Sequence, residues 1–354
     1  MQKKMHRFMG FKIMKYLDED LQELSKFLQE QNYGGSTMLV TGATGLIGSL
    51  CIRALMAYNR TADKPICIIG LARNTEKVQA IFGDDVQTVR FLYQDIREPL
   101  NNEIKCDYII HTANSTASSY FITKPVEVVE SIYQGTKQIL DYGVRHRVKG
   151  IVYLSSMEAF GKVDSNERIG EEHLGYIDLQ NIRSCYSEGK RMAELMCKCY
   201  AEEFGLSVCI ARLAQTFGAG IPITEERVFA QFARSAIRGE DVVLHTRGQS
   251  VGNYCYTADV VRAIFLLMKK GKSGDVYTVV NEETTRTIAE MAQMVVEQFS
   301  NGKSSVVFDI PKDNKFGYAP ETKLRLSSRK LNELGWHATY GLREMYERMI
   351  PDLM

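Results

Sequence analysis

Tyr186 and Lys190, four positions apart in the run Cys-Tyr-Ser-Glu-Gly-Lys, have the residue types and spacing for acid–base chemistry. A tyrosine hydroxyl titrates near about 10 and works as a base at neutral pH only if its phenolate is stabilised. The i, i+4 spacing sets both side chains on one helix face, where the ammonium can lower the tyrosine pKa and also reach a cofactor ribose. Ser156 follows the apolar strand Ile151 to Leu154 and could hold a substrate hydroxyl between itself and the tyrosine. Without those two residues it would be an ordinary strand-end turn serine.

Far upstream, Thr41 to Gly48 reads TGATGLIG, after the apolar run Met38-Leu39-Val40 and before a helical pattern at Leu46, Ile47, Leu50, Ile52 and Leu55. Glycines also mark plain turns, but strand, turn and helix in this order are what a dinucleotide site requires. Gly42 permits the tight turn, Gly45 lets the backbone approach a pyrophosphate, and Gly48 allows close packing, while the helix end offers unpaired N–H groups. Thr44, Leu46 and Ile47 complete the candidate contacts, and the expected cofactor is NAD or NADP.

These motifs need a scaffold, and the chain's 354 residues with 45% hydrophobic content suffice for two lobes and a real core. Forty-four Lys and Arg against 43 Asp and Glu give a net charge of +1, with no dense basic cluster, so nucleic acid is not an expected partner. No apolar stretch is long enough to span a bilayer, and Lys3, Lys4, His6, Arg7, Lys12 and Lys15 interrupt the N-terminus, so a cytoplasmic protein is expected. The eight cysteines are scattered and read as reduced core thiols. Cys197 and Cys199 lack a second pair or a histidine at ligand spacing, so no metal site is expected.

Along the chain, Leu17, Leu21, Leu24 and Leu28 make Tyr16 to Gln31 an amphipathic helix that could cap the sheet edge or meet a partner subunit. The residues before it read as a frayed tail. Apolar runs at 66–71, 89–93, 108–111, 150–154 and 207–211 then alternate with helical patterns. Such alternation implies an α/β fold, a doubly wound parallel sheet of Rossmann type. After Thr216 short strands such as Val242 to His245 and Gly/Pro breaks indicate a smaller C-terminal lobe, closed by a helix after Gly341. The expected division is 1–36 tail and helix, 37–215 dinucleotide-binding core with the catalytic residues, and 216–354 mainly a substrate-binding lobe with some chain returning to the core.

TGATGLIG, YLSSMEAFG (Tyr153 to Gly161), CYSEGKRMAE (Cys185 to Glu194), ARLAQTFGAG (Ala211 to Gly220), YCYTADVVRAI (Tyr254 to Ile264) and SSRKLNELGW (Ser327 to Trp336) occur in one order. In them the chain resembles the extended short-chain dehydrogenases/reductases of the nucleotide-sugar epimerase/dehydratase family, from Thr37 to the C-terminus. The resemblance implies that Tyr186 takes the proton from a sugar 4-hydroxyl while hydride passes to the nicotinamide, leaving a 4-keto-sugar, with Lys190 and Ser156 assisting. It assigns Asp95, followed by Ile96, to the adenine end, and Ala113 to the loop facing the cofactor, with Asn114 adding a polar group. It sets Gln215 on the sugar or phosphate, Arg227 on the diphosphate and His245 beside the nucleobase of a nucleoside-diphosphate sugar. It also implies that such chains pair through the helix carrying Tyr186; Met192, Leu195 and Met196 suit a homodimer contact and equally suit the monomer core.

The departures from the family pattern narrow the chemistry. An acidic residue normally ends the second strand and holds the adenosine ribose, but here the strand ends Leu71-Ala72-Arg73-Asn74. Arg73 either suits a 2′-phosphate, pointing to NADP, or is a solvated loop charge. Ile132 stands where relatives often carry a buried asparagine. Dehydratases of the family carry an acid and then a glutamate base after the Ser156 position; this chain has Met157, which cannot donate a proton, and Glu158. Glu158 is either that base or a carboxylate at a helix N-terminus.

The CYSEGKR run, Arg227-Val228 and Gly248 to Asp259 most resemble UDP-glucuronate decarboxylases. Gly252 stands where those enzymes carry the arginine that meets the sugar carboxylate, so Arg247 or Arg262 would have to substitute. The expected net reaction is 4-epimerisation of a nucleoside-diphosphate hexose. The alternatives are NADPH-dependent reduction of a 4-keto-sugar, decarboxylation or dehydration, and, in another class, a non-catalytic cofactor-binding regulatory protein.

Overall fold

A computed structural model describes residues 15–163, 165–311 and 321–354. Of the expected tail before Tyr16, residues 1–14 lie outside the described residues and Lys15 begins the first helix. The first half lays down β1 (Thr37–Thr41), β2 (Cys67–Ala72), β3 (Arg90–Tyr93), β4 (Tyr108–His111), β5 (Gly150–Ser156) and β6 (Val208–Leu213). These fall within a residue or two of the apolar runs, because strands covered on both faces read as unbroken hydrophobic stretches. The later part adds β7 (Gln215–Phe217), β8 (Val242–Leu244), β9 (Val251–Tyr256), β10 (Val276–Val279), β11 (Asn281–Thr287) and β12 (Val306–Phe308).

Seven strands form one parallel sheet in the order β10-β6-β5-β4-β1-β2-β3. Thus β10, more than sixty residues after β6, returns to close one edge. The strand order reverses between β1 and β4, and in open α/β sheets ligands bind at such a reversal, beyond the carboxyl ends of the strands. The later chain also forms the smaller sheets β11-β9-β7 and β12-β8.

The helices that matter for the site are α1 (Lys15–Glu30), α2 (Leu46–Asn59), α3 (Thr75–Phe82), α4 (Pro125–His146) and α5 (Ser184–Phe204). They are followed by α6 (Val228–Arg238), α7 (Thr257–Lys270), α8 (Ile288–Phe299) and α9 (Leu342–Leu353). Met38 and Val40 face one core with α2 and α7, whereas Leu39, Ile69 and Ile109 face a second core with α4 and α5. Strand alternation splits the two sets between the faces.

The amphipathic helix α1 lies on α2 and α7, over a face of the sheet and not at its edge. It buries Leu17, Leu24 and Leu28, and also Asp20, which is fully buried. Asp20 accepts from the Tyr256 hydroxyl (2.6 Å) and from Arg348 of α9 (2.6 Å), tying the first helix to the last. All eight cysteines are free, but the expectation of core thiols fails for Cys67 and Cys199, which are exposed. Cys67 opens its strand at the solvent-facing end, and Cys199 sits on the outer face of α5. No described helix is long and apolar enough to cross a membrane, and no group of described His, Cys, Asp or Glu could hold a metal ion.

Candidate active site

The crevice is assembled by Thr41, the last residue of β1. Its hydroxyl is 2.8 Å from His111 Nδ1 and accepts from the backbone N–H groups of Thr112 and Ala113, while the Thr112 hydroxyl donates to the Thr41 carbonyl at 2.7 Å. The β1 turn and the β4 loop are thereby locked together. Gly42 takes φ +67°, where a side chain would be strained, and an added Cβ would meet Thr112 Oγ1 and the Ala113 backbone. A Cβ on Gly48 would overlap the Gly42 carbonyl, so the turn packs directly against the first turn of α2.

Gly45 caps α2 with no side-chain bond, no acid occupies the first helical turn, and beside Gly45 an added Cβ would meet only the Gly42 carbonyl, at 3.3 Å. Free N–H groups at an uncrowded, uncapped helix end fit a pyrophosphate. Thr44, Leu46 and Ile47 are partly buried around it. Ala113 is partly buried beside the turn, and both side-chain polar atoms of Asn114 are buried without a partner among the described residues. A buried amide with neither bond made is costly unless a ligand completes it, so these residues fit a dinucleotide.

At the outer end of the crevice, Asp95 accepts from the Arg97 backbone and guanidinium at 2.9–3.1 Å, which holds its carboxyl below the ordinary range. Ile96 is buried against Gly135. Arg73 is exposed and lies 3.9 Å from both Asp95 and Glu127.

Tyr186 and Lys190 sit on the first turns of α5, both buried, with the Lys190 amine 5.7 Å from the Tyr186 ring centre. Tyr186 stacks on Phe121, ring centres 4.3 Å apart. Burial, and then the nearby Glu158 charge, push its hydroxyl well above the ordinary value; a hydrogen bond with Ser156 and the charges of Arg183 and Arg227 pull it down. The expected depression by Lys190 is not what the geometry provides. Burial has brought the lysine itself down to about 7, and its amine is turned to the Leu154 carbonyl at 2.7 Å. Ile132 fills the place of the absent asparagine and packs on Gly189 of α5.

Ser156 ends β5 and caps the short turn Met157–Phe160 by accepting from the Glu158 N–H at 3.2 Å. The Glu158 carboxylate is gripped by both terminal nitrogens of Arg183 (3.0 and 3.2 Å) and accepts from the Ser187 hydroxyl (3.2 Å). It is therefore an ion-paired group and not a free base. Sequence reasoning missed Arg183 and Phe121. A signal existed for Arg183, a cation at the start of α5, where the helix dipole favours an anion.

Arg227, just before α6, lies close enough for its charge to act on Tyr186. Its guanidinium is held by Glu225 (2.9 and 2.7 Å) over the Phe229 ring. Gln215 opens β7, partly buried beside Tyr254 of β9, and His245 lies beyond β8 with Nδ1 2.9 Å from the Asp309 carbonyl oxygen. Arg262, a candidate substitute for the missing arginine, is bonded to Asp259 and Thr339. A Cβ on Gly252 would overlap the Tyr254 hydroxyl, so the ring occupies the space a side chain there would need. Of the apolar residues on α5, Met192 and Leu195 are exposed, whereas Met196 packs into the second core.

A family model described as the NAD dependent epimerase/dehydratase family matches residues 38–281. Over 330 residues the chain is 27% identical to UDP-glucuronic acid decarboxylase 6 of Arabidopsis thaliana, covering 93% of this chain and 90% of that one. It is 27% identical over 327 residues to UDP-glucuronic acid decarboxylase 1 of Xenopus tropicalis, covering 92% and 73%. In fold it is similar to the UDP-glucose 4-epimerase of Thermotoga maritima, with a TM-score of 0.75 at 22% identity over 89% of this chain and 98% of that one.

Proposed function

The chain belongs to the NAD dependent epimerase/dehydratase family, and from that premise we propose that it oxidises carbon 4 of a nucleoside-diphosphate hexose and returns the reduced sugar as its 4-epimer. Bound NAD would supply the hydride acceptor and later the donor. Gly42, Gly45, Gly48 and the N-terminal turn of α2 would hold its phosphates, with Thr44, Leu46, Ile47, Ala113, Asn114, Asp95 and Ile96 around it.

The observation that carries the reading is the set of buried Tyr186 and Lys190 with partly buried Ser156, beside a Glu158 carboxylate that is already ion-paired. Tyr186 accepts the proton of the substrate hydroxyl, and Ser156, near it at the end of β5, orients that hydroxyl. Tyr186 can accept that proton only as the phenolate, after its own proton has left to solvent, and its raised pKa means that this form is reached only when a positive charge arrives beside it. Lys190, poised near neutrality, supplies that charge when it takes up a proton. Arg227 would hold the diphosphate, with Gln215 and His245 completing the substrate contacts.

Met157 offers no acid to expel water, and Glu158 is engaged by Arg183 and Ser187, so both observations favour an outcome that leaves carbons 5 and 6 intact. A second reading is decarboxylation of UDP-glucuronate. It is supported by the curated relatives and by Arg183, whose guanidinium could exchange Glu158 for a sugar carboxylate. Mass analysis of products from a panel of nucleotide hexoses and uronates decides between them. An unchanged mass with altered retention supports epimerisation, loss of carbon dioxide supports the second reading, and loss of water contradicts both.

A further inference from the structure

The tip of β2 lacks the carboxylate that usually reads the adenosine ribose, and its remaining polar side chain, Asn74, is spent capping α3 by accepting from the Lys77 N–H at 2.8 Å. Arg73 would on its own favour a 2′-phosphate. Its guanidinium, however, lies 3.9 Å from Glu127 of α4 and 3.9 Å from Asp95. Asp95 is already committed to Arg97 through three short bonds. Among the described residues Glu127 is met only by longer ion pairs, to Arg73 and to Lys124 at 3.5 Å.

We infer that Glu127, reaching Arg73 from the start of α4, is the residue of this chain that selects NAD over NADP. The inference rests on the reading that the dinucleotide lies along Gly42–Gly48. Glu127 and Glu130, with Arg97 and Lys124, line an open groove of about 560 Å³ beside the β3 end. In the ion-pair cluster that runs from this groove to Arg73, the cations Arg73, Arg97 and Lys124 are matched by Asp95, Glu127 and Glu130, leaving no surplus cation among them for a dianionic phosphate. A ribose 2′-hydroxyl can donate to the loosely held Glu127 carboxylate. A 2′-phosphate would be repelled by it and would have to take Arg73 from it.

Calorimetric titration of the full chain with NAD and with NADP tests this without turnover. Glu127→Gln should tighten NADP relative to NAD by about fivefold or more, as expected for removing one charge at such a distance. Arg73→Ala on that background should erase the gain, and Glu130→Gln, whose carboxylate among the described residues pairs with Arg97, should leave the ratio unmoved. An unchanged ratio in Glu127→Gln, or an equal shift in Glu130→Gln, overturns the inference while leaving the dinucleotide site standing. A wild-type chain that binds neither dinucleotide overturns the site reading, and this inference with it.

Discussion

Lys190→Met isolates the cost of burying a cation at the candidate site. The lysine is 3% exposed and sits at about 7 against an ordinary 10.5. At about 1.4 kcal/mol per pH unit, that gap sets an upper bound of roughly 5 kcal/mol on the penalty for the charged form. Between pH 7 and about 10 the unfolded chain carries a proton on this residue that the folded chain does not, so stability rises with pH across that window. Below pH 7 both states are protonated and the penalty is felt in full. The substitution also removes the bond to the Leu154 carbonyl, an offset that does not vary with pH. Urea unfolding followed by circular dichroism at pH 7.5 and 9.5 separates the two effects. Wild type should gain up to about 2.5 kcal/mol on Lys190→Met between those pH values, close to the limiting slope of about 1.4 kcal/mol per pH unit. A difference that stays constant with pH would refute the reasoning and return Lys190 to an ordinary solvated lysine.

Gly48→Ala forces the turn away from the Gly42 carbonyl, and calorimetry should find NAD binding weakened at least about tenfold, equivalent to ~1.4 kcal/mol. Gly252→Arg should not restore a decarboxylase-like pocket, because Tyr254 fills the space. It should destabilise the fold by roughly 2 kcal/mol, and less when Tyr254→Ala accompanies it. Arg348→Met strands the buried Asp20 carboxylate at a cost of about 3–5 kcal/mol, part of which Asp20→Asn should recover in the double variant, read from denaturant midpoints.

What was legible in the sequence was local. The apolar runs that became β1–β6, the turn between β1 and α2, and the i, i+4 pair on α5 each show their geometry within a few residues. Arg183 and Glu158 meet across 25 residues and Asp20 and Arg348 across 328, so neither pairing leaves a periodic trace. Asp20 lies between Leu17 and Leu21 and reads as a polar-face residue until α9 covers it. That some later chain returns to the core was expected, but not which piece: β10, a four-residue strand after a long excursion, looks like any other short strand. The state of Lys190 was hidden for another reason, since the i, i+4 rule fixes the face of a helix but not how dry that face will be.

The most direct test of the account is to mix the purified chain with NAD and its best nucleotide sugar and to follow the near-ultraviolet absorbance of the reduced dinucleotide, in wild type and in Tyr186→Phe. The account predicts a transient rise in wild type and none in the variant, with NAD affinity retained. A rise of equal rate and size in Tyr186→Phe would contradict the assignment of Tyr186 as the group that accepts the proton from the sugar.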